Sequence, residues 1–210
     1  MITGAVLGSP ITHSLSPVLH KAAFDFLGID GNYSAIEVSS GSLDSFMASR
    51  SDEFDYLSLT MPLKEEVLAL DVAKDALTDR IQSGNTLIKR ENAWSLTSTD
   101  GSGFVAALAH VGFTRFTKAL ILGAGGTARA VAGALDSVTD ELHVLGRSSV
   151  REGALQSAVQ SASFQYLTWT SEIDFHAYDL VVNTTPAGAA DLLANSVQPN
   201  RVNLLFDVIY

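Results

Sequence analysis

Six consecutive residues in the second half of the chain, Gly123-Ala124-Gly125-Gly126-Thr127-Ala128, leave few folds open to it. They follow the apolar run at residues 119–122 and precede a helix-length amphipathic stretch, so the small residues fall where a buried strand turns into a helix. At such a turn the first glycine permits a tight reversal, and the second lets backbone N–H groups come up against a pyrophosphate at the helix N-terminus. Ala128 in the third small position lets the helix pack close to the strand. The pattern by itself leaves one alternative, a glycine turn that only packs. From Lys118 onward the order reads strand, glycine turn, helix, strand, helix, strand, strand, strand, the order of a doubly wound, Rossmann-like nucleotide-binding unit.

The alternation of short β-branched apolar runs with amphipathic segments extends through the first half, so the chain reads as α/β throughout. Strands are expected at residues 3–7, 33–37, 56–60, 86–89, 93–97, 119–122, 142–145, 164–167, 180–183 and 203–207. Helices are expected at 16–27, 42–49, 64–70, 72–79, 101–111, 126–135 and 150–161. The first of them has Ser16 as N-cap, Pro17 at the first helical position and Gly28 as its end. The first half carries no glycine fingerprint of its own. The chain is therefore expected to divide into an N-terminal α/β substrate domain, residues 1–102, and a C-terminal doubly wound dinucleotide domain, residues 103–210. A domain of the second kind commonly has about six strands. Five are counted before Tyr210, so its last strand and helices are expected to be missing.

Composition narrows the chemistry. Over 210 residues, 23 Asp and Glu stand against 13 Lys and Arg, a formal net charge of −10, with 47% hydrophobic residues and no cysteine. That balance describes a soluble globular chain, and with no basic run it opposes nucleic-acid binding, where Lys and Arg on phosphates supply most of the affinity. The lack of cysteine removes disulfides, thiolate metal sites and thiol nucleophiles together and suits a reducing cytoplasm. The opening residues lack the basic start and sustained apolar run of a signal peptide. The most apolar stretch, residues 118–135, is interrupted by Gly123, Gly125, Gly126 and Arg129, so no membrane span is expected. His13, His20, His110, His143 and His176 have no metal-ligand spacing, and no metal site is expected.

Where a doubly wound unit selective for NAD places an acidic residue at the end of its second strand, this chain reads Gly146-Arg147-Ser148-Ser149. An arginine there cannot accept from a ribose hydroxyl but can pair with a 2′-phosphate, and Arg151 lies one helical turn on as a second arm. This favours NADP, with plain solvated surface charges as the alternative. In the first half, Ser14 and Ser16 sit two residues apart at a helix start, which fits an N-cap or a ligand carboxylate held at the helix N-terminus. Lys64 follows Thr60-Met61-Pro62 at a strand end, and Asp100 stands at the junction of the two halves. If they meet across a cleft they form a proton-transfer pair beside a substrate hydroxyl, whereas spacing alone favours an exposed lysine and an N-cap aspartate.

Taken together, these residues resemble the shikimate dehydrogenase family over nearly the whole chain, from Val6 to Tyr210. Gly8-Ser9-Pro10 with His13-Ser14-Leu15-Ser16-Pro17 is similar to the family's opening motif, in which two serines bind the substrate carboxylate. Thr60-Met61-Pro62-Leu63-Lys64 resembles the strand end with the catalytic lysine, and Thr99-Asp100-Gly101 the motif with the catalytic aspartate. Gly84-Asn85-Thr86 is similar to the segment whose asparagine binds a ring hydroxyl. In the second half, residues 123–130 resemble the family's glycine loop and Arg147-Ser148-Ser149-Val150-Arg151 its NADP-selecting stretch. Asn183-Thr184-Thr185-Pro186 is similar to its cofactor-side loop, and Phe206-Asp207-Val208-Ile209-Tyr210 to the strand end whose tyrosine approaches the substrate.

The resemblance implies reversible NADP-dependent reduction of 3-dehydroshikimate to shikimate in aromatic amino-acid (chorismate) biosynthesis. It implies Lys64 and Asp100 as the catalytic pair, with Ser14, Ser16, Thr60, Asn85 and Tyr210 on the substrate. On the cofactor it implies Gly123, Ala124, Gly125, Gly126, Thr127, Ala128, Arg147, Ser148, Arg151, Asn183, Thr184 and Thr185. A monomer or homodimer is expected. The competing readings are a quinate/shikimate dehydrogenase of broader specificity and a non-catalytic NADP- or shikimate-binding module. Ser58, Ser98 and Gly146 each stand where the family usually has asparagine, and the family continues beyond the position of Tyr210 with a further strand and helices.

Overall fold

The apolar runs become the strands of two separate sheets, one in each of the units into which the chain divides, Met1–Thr99 and Asp100–Tyr210. The computed structural model describes residues 1–169, 173–194 and 204–208. Elements β1 (Ile2–Gly8), α1 (Ser16–Leu27), β2 (Gly31–Glu37), α2 (Leu43–Arg50) and β3 (Tyr56–Leu59) open the first unit. They are followed by α3 (Leu63–Glu66), β4 (Ala73–Lys74), α4 (Ala76–Ile81), β5 (Thr86–Arg90) and β6 (Ala93–Thr97). The sheet order is β2-β1-β3-β5-β6-β4. β1 runs parallel to β2 and β3, while β5 is antiparallel to both β3 and β6. The C-terminal ends of β1, β3 and β6 and the start of β5 therefore share one edge. Alternate residues Leu7, Leu57, Leu59, Leu87 and Leu96 face a core with Leu43, Leu63 and Val67, none more than 3% exposed.

Two local expectations are corrected. Ser16 is the first residue of α1 and not its cap: Leu15 occupies the cap position without a side-chain bond, and the Ser14 hydroxyl accepts from the Ser16 N–H at 3.3 Å. The helix expected at residues 72–79 begins only at Ala76, because Asp75 caps it, accepting from Thr78 N–H at 2.7 Å and from Thr97 Oγ1 at 2.5 Å. The residues before the cap pair with β6 as β4 instead. Gly28, at φ 65°, does terminate α1.

The second unit contains α5 (Asp100–His110), β7 (Phe116–Leu122), α6 (Gly126–Leu135), β8 (Thr139–Gly146) and α7 (Glu152–Ala158). After these come β9 (Ser163–Thr168), β10 (Leu180–Asn183), α8 (Asp191–Ala194) and β11 (Leu205–Asp207). The expected junction at residue 102 lies inside α5. All strands are parallel in the order β11-β10-β7-β8-β9, so the chain winds outward from β7 to β9 and then crosses back to β10. Leu120, Ile121, Leu142, Val144, Leu145 and Leu180 have no exposed surface, the mark of a sheet buried on both faces. Among the described residues no helix is long and apolar enough to cross a membrane.

Each unit sets a histidine against tyrosine. The His20 ring stacks on Tyr33 with centroids 3.7 Å apart, and its Nδ1 lies 2.8 Å from the Tyr56 hydroxyl. Burial lowers the His20 pKa and, with Tyr33 alongside, pushes Tyr56 up to about 12. In the second unit His143 Nδ1 lies 3.0 Å from the Tyr178 hydroxyl. Burial and then the Lys118 charge lower the His143 pKa, against a smaller opposing effect of Glu141. Both histidines thus titrate below the unfolded value of about 6.5, so on acidification the unfolded chain takes up protons first. Stability is expected to fall as pH drops below about 6.5 and to level off once the folded-state pKa values are passed. Urea midpoints measured from about pH 7 to pH 5 check this, and His20→Gln and His143→Gln should each flatten the dependence.

Candidate active site

The shared edge of the first sheet gathers the polar residues that the sequence singles out. Ser9 N–H donates to the Met61 carbonyl at 3.0 Å, Thr60 N–H to Leu7 at 2.9 Å, Gly84 N–H to Lys64 at 2.9 Å and Leu59 N–H to Asn85 at 2.7 Å. Residues 7–9, 59–64 and 84–85 are thereby stitched to one another, with Thr60, Lys64 and Asn85 half-buried. Lys64 is the second residue of α3. The Asn85 amide is fixed between two threonines: its Oδ1 accepts from Thr99 N–H at 2.9 Å and from Thr86 Oγ1 at 2.8 Å, and its Nδ2 donates to Thr99 Oγ1 at 3.1 Å. Ser14 and Ser16, both half-buried, stand at the start of α1, which follows the end of β1 on this same edge. Asp100 follows Thr99 directly and is the first residue of α5. Tyr210 lies outside the described residues.

In the second unit the glycine run joins β7 to α6 where the strand order reverses between β8 and β10. Gly123 has φ +108°, and a Cβ there would stand 2.6 Å from Thr184 Oγ1, so neither backbone nor packing admits a side chain. Gly125 is different. Its φ is −83°, and the nearest atom to an added Cβ would be Arg151 Nη1 at 3.9 Å. Among the described residues no neighbour requires glycine at this position, so the space over it is open to a ligand. Gly125 is also the N-cap of the 10-residue α6 and offers no side-chain oxygen, which leaves the helix N-terminus beside that space without a side-chain cap. Ala128 is fully buried beneath. These features fit a dinucleotide pyrophosphate.

Arg147 is exposed just past β8 and makes no hydrogen bond or ion pair among the described residues. Arg151 closes the 3₁₀ turn Ser149–Arg151, and its Nη1 reaches back to the Ala124 carbonyl at 3.4 Å. The Ser148 carbonyl accepts from the Tyr166 hydroxyl at 2.6 Å. Asn183, Thr184 and Thr185 spend their side chains on the loop itself. Thr184 donates its N–H and Oγ1 to Leu122, at 2.9 and 2.8 Å. Thr185 does the same to Asn183 Oδ1 at 3.1 and 2.7 Å, and Asn183 Nδ2 donates to Asp207 at 3.2 Å. Sequence reasoning missed Tyr166 and Asp207. The signal for Tyr166 was strand register, which pairs it with Val144 two residues before Gly146.

An all-parallel unit with an open glycine cradle at its switch point places the chain among the dinucleotide-binding proteins. Residues 6–87 match the family model of the shikimate dehydrogenase substrate binding domain. The NADP shikimate dehydrogenase of Natronomonas pharaonis is 36% identical over 184 residues, 87% of this chain and 69% of that protein. The corresponding protein of Methanothrix thermoacetophila is 36% identical over 98% of this chain and 77% of its own length. The crystal structure of Mycobacterium tuberculosis shikimate dehydrogenase superposes with a TM-score of 0.88 at 30% identity, over all of this chain and 79% of that one. That of the Thermus thermophilus enzyme, in complex with NADP(H) and shikimate, gives 0.76 at 34% identity, over 88% of this chain and 69% of that one. The chain belongs to the shikimate dehydrogenase family.

The two glycines separate packing from binding. Gly125→Val fills the open space and is expected to weaken NADP binding at least about tenfold with little change in melting temperature. Gly123→Ala is expected to lower stability by about 1–3 kcal/mol, because the left-handed φ and Thr184 both oppose it. Calorimetric titration and thermal melts of the two variants read both effects.

Proposed function

We propose that this chain catalyses the reversible NADP-dependent reduction of 3-dehydroshikimate to shikimate in aromatic amino-acid (chorismate) biosynthesis. The observation that carries it is the open space over Gly125, bordered by Arg151 and beside the uncapped end of α6, in a member of this family. The first unit holds the substrate. Ser14 and Ser16 take its carboxylate at the start of α1, where the helix dipole favours an anion. Thr60 and Asn85 grip ring hydroxyls, and Asn85 is oriented in advance by Thr86 and Thr99. Lys64 gives a proton to the carbonyl oxygen during reduction and takes it back during oxidation, and Asp100 is the acidic member of the catalytic pair. The family pattern adds Tyr210 to the residues assigned to the substrate.

The nicotinamide, when bound, supplies the hydride chemistry at the reacting ring carbon. Residues 123–128 receive the pyrophosphate on backbone N–H groups, and Arg147, Ser148 and Arg151 take the 2′-phosphate. Thr184 and Thr185 act with Asn183 by holding the end of β10 against the glycine turn. The chain acts as a monomer or homodimer, and its lack of cysteine supports a cytoplasmic setting.

The test is the initial rate of NADP reduction with shikimate, with NAD and quinate run in parallel. Turnover is expected with shikimate and NADP; a higher rate on quinate, or binding of NADP with no turnover on either acid, overturns the reading. Lys64→Ala is expected to lower kcat by about 10²–10⁴-fold while KM for shikimate changes little. Equal changes in both would remove lysine from proton transfer.

A further inference from the structure

Gly146 and Tyr166 form one unit at the end of β8. In the β8–β9 register Tyr166 stands opposite Val144, on the sheet face that Gly146 shares. From there its ring leans over Gly146: an added Cβ would collide with the Tyr166 hydroxyl and come within 2.7 Å of its Cζ and 3.3 Å of Ala124 Cβ in the glycine loop. The phenol thus occupies the slot that a side chain at position 146 would take. Its hydroxyl donates to the Ser148 carbonyl at 2.6 Å. Burial raises the phenol's pKa, the nearby Glu152 charge adds to this and Arg151 opposes it, so it remains a donor at neutral pH. Among the described residues Arg147 has no hydrogen bond or ion pair to aim it, so its direction is set by the backbone that this hydroxyl holds.

We propose that Tyr166 is a positioning residue for cofactor selection. By filling the slot over Gly146 and holding the Ser148 carbonyl, it fixes the turn that carries Arg147 and Arg151 and so sets the preference for a 2′-phosphorylated dinucleotide. The proposal rests on the assignment of Arg147 and Arg151 to that phosphate. Its energetic basis is preorganisation: a turn already held loses less conformational freedom when the phosphate arrives.

Calorimetric titration of the full chain with NADP⁺ and, separately, NAD⁺ tests this on Tyr166→Phe, Gly146→Ala, the double variant and Arg147→Ala. Tyr166→Phe keeps the ring and removes one hydrogen bond, so NADP⁺ is expected to bind about three- to tenfold more weakly with NAD⁺ unchanged. Gly146→Ala is expected to do the same by displacing the hydroxyl, and the double variant to be no worse than either single one. Equal weakening toward both dinucleotides, additive losses, or no change in Tyr166→Phe overturns the proposal. Arg147→Ala separates the two levels: if it leaves the preference intact, the phosphate assignment itself fails, whereas a lost preference there with an intact one in Tyr166→Phe removes Tyr166 alone. Thermal melts identify any variant that does not fold, and Tyr166→Phe then decides by itself.

Discussion

The Leu122 carbonyl receives both the amide and the hydroxyl of Thr184, at 2.9 and 2.8 Å, while the Gly123 amide reaches the Leu145 carbonyl at 2.9 Å. These bonds tie the ends of β7, β8 and β10 together at the place where the strand order reverses. They also bring Thr184 so close that residue 123 must be glycine in a left-handed conformation, and α6 then starts from that turn. A sheet buried on both faces has no room for functional polar groups within its body. Recognition is consequently moved to the strand ends, where the turn leaves a helix N-terminus and an unfilled space side by side.

The first unit reaches a similar result with a different sheet. Because β5 runs against the other five strands, one edge collects their ends and the start of β5, and the segments that carry the polar residues adjoin it. Backbone bonds among those segments fix where Thr60, Lys64 and Asn85 emerge, and the threonines flanking Asn85 fix how its amide points. Orientation is settled by bonds the protein makes to itself, so little of it has to be organised when a substrate binds.

The strands were legible because apolar period-2 runs bounded by turn residues are local signals, and each expected strand has a counterpart in the two sheets, with residue 203 outside the described residues. The glycine cradle was legible for the same reason: all its parts lie within six residues. What escaped depended on partners distant in sequence. The Asp75 cap draws on Thr97, and this contact turned an expected helix start into β4. The side chains of Asn183, Thr184 and Thr185, which the sequence offers to a cofactor, also bond to Leu122, Asp207 and one another. Gly146 reads as a missing asparagine, and only the pairing of β8 with β9 reveals the tyrosine that fills its place.

An acidic chain that takes two anions must spend its positive charge sparingly. Many of the cations are already neutralised: Lys21 by Asp25, Arg50 by Glu53, Lys89 by Asp52, Arg115 by Asp140 and Lys118 by Glu141. Pairs of this kind, mostly exposed, add little to stability, but each removes a charge that could attract an anion at the wrong place. Among the described residues Arg147, at the end of β8, has no such partner. The remaining attraction comes from helix N-termini and backbone N–H groups, which carry no net charge and act only within about a turn of the helix end. A net charge of −10 therefore opposes the approach of anions from a distance, while the glycine cradle favours them at contact. Selectivity in this chain is accordingly a short-range property, set by where a few backbone segments are held.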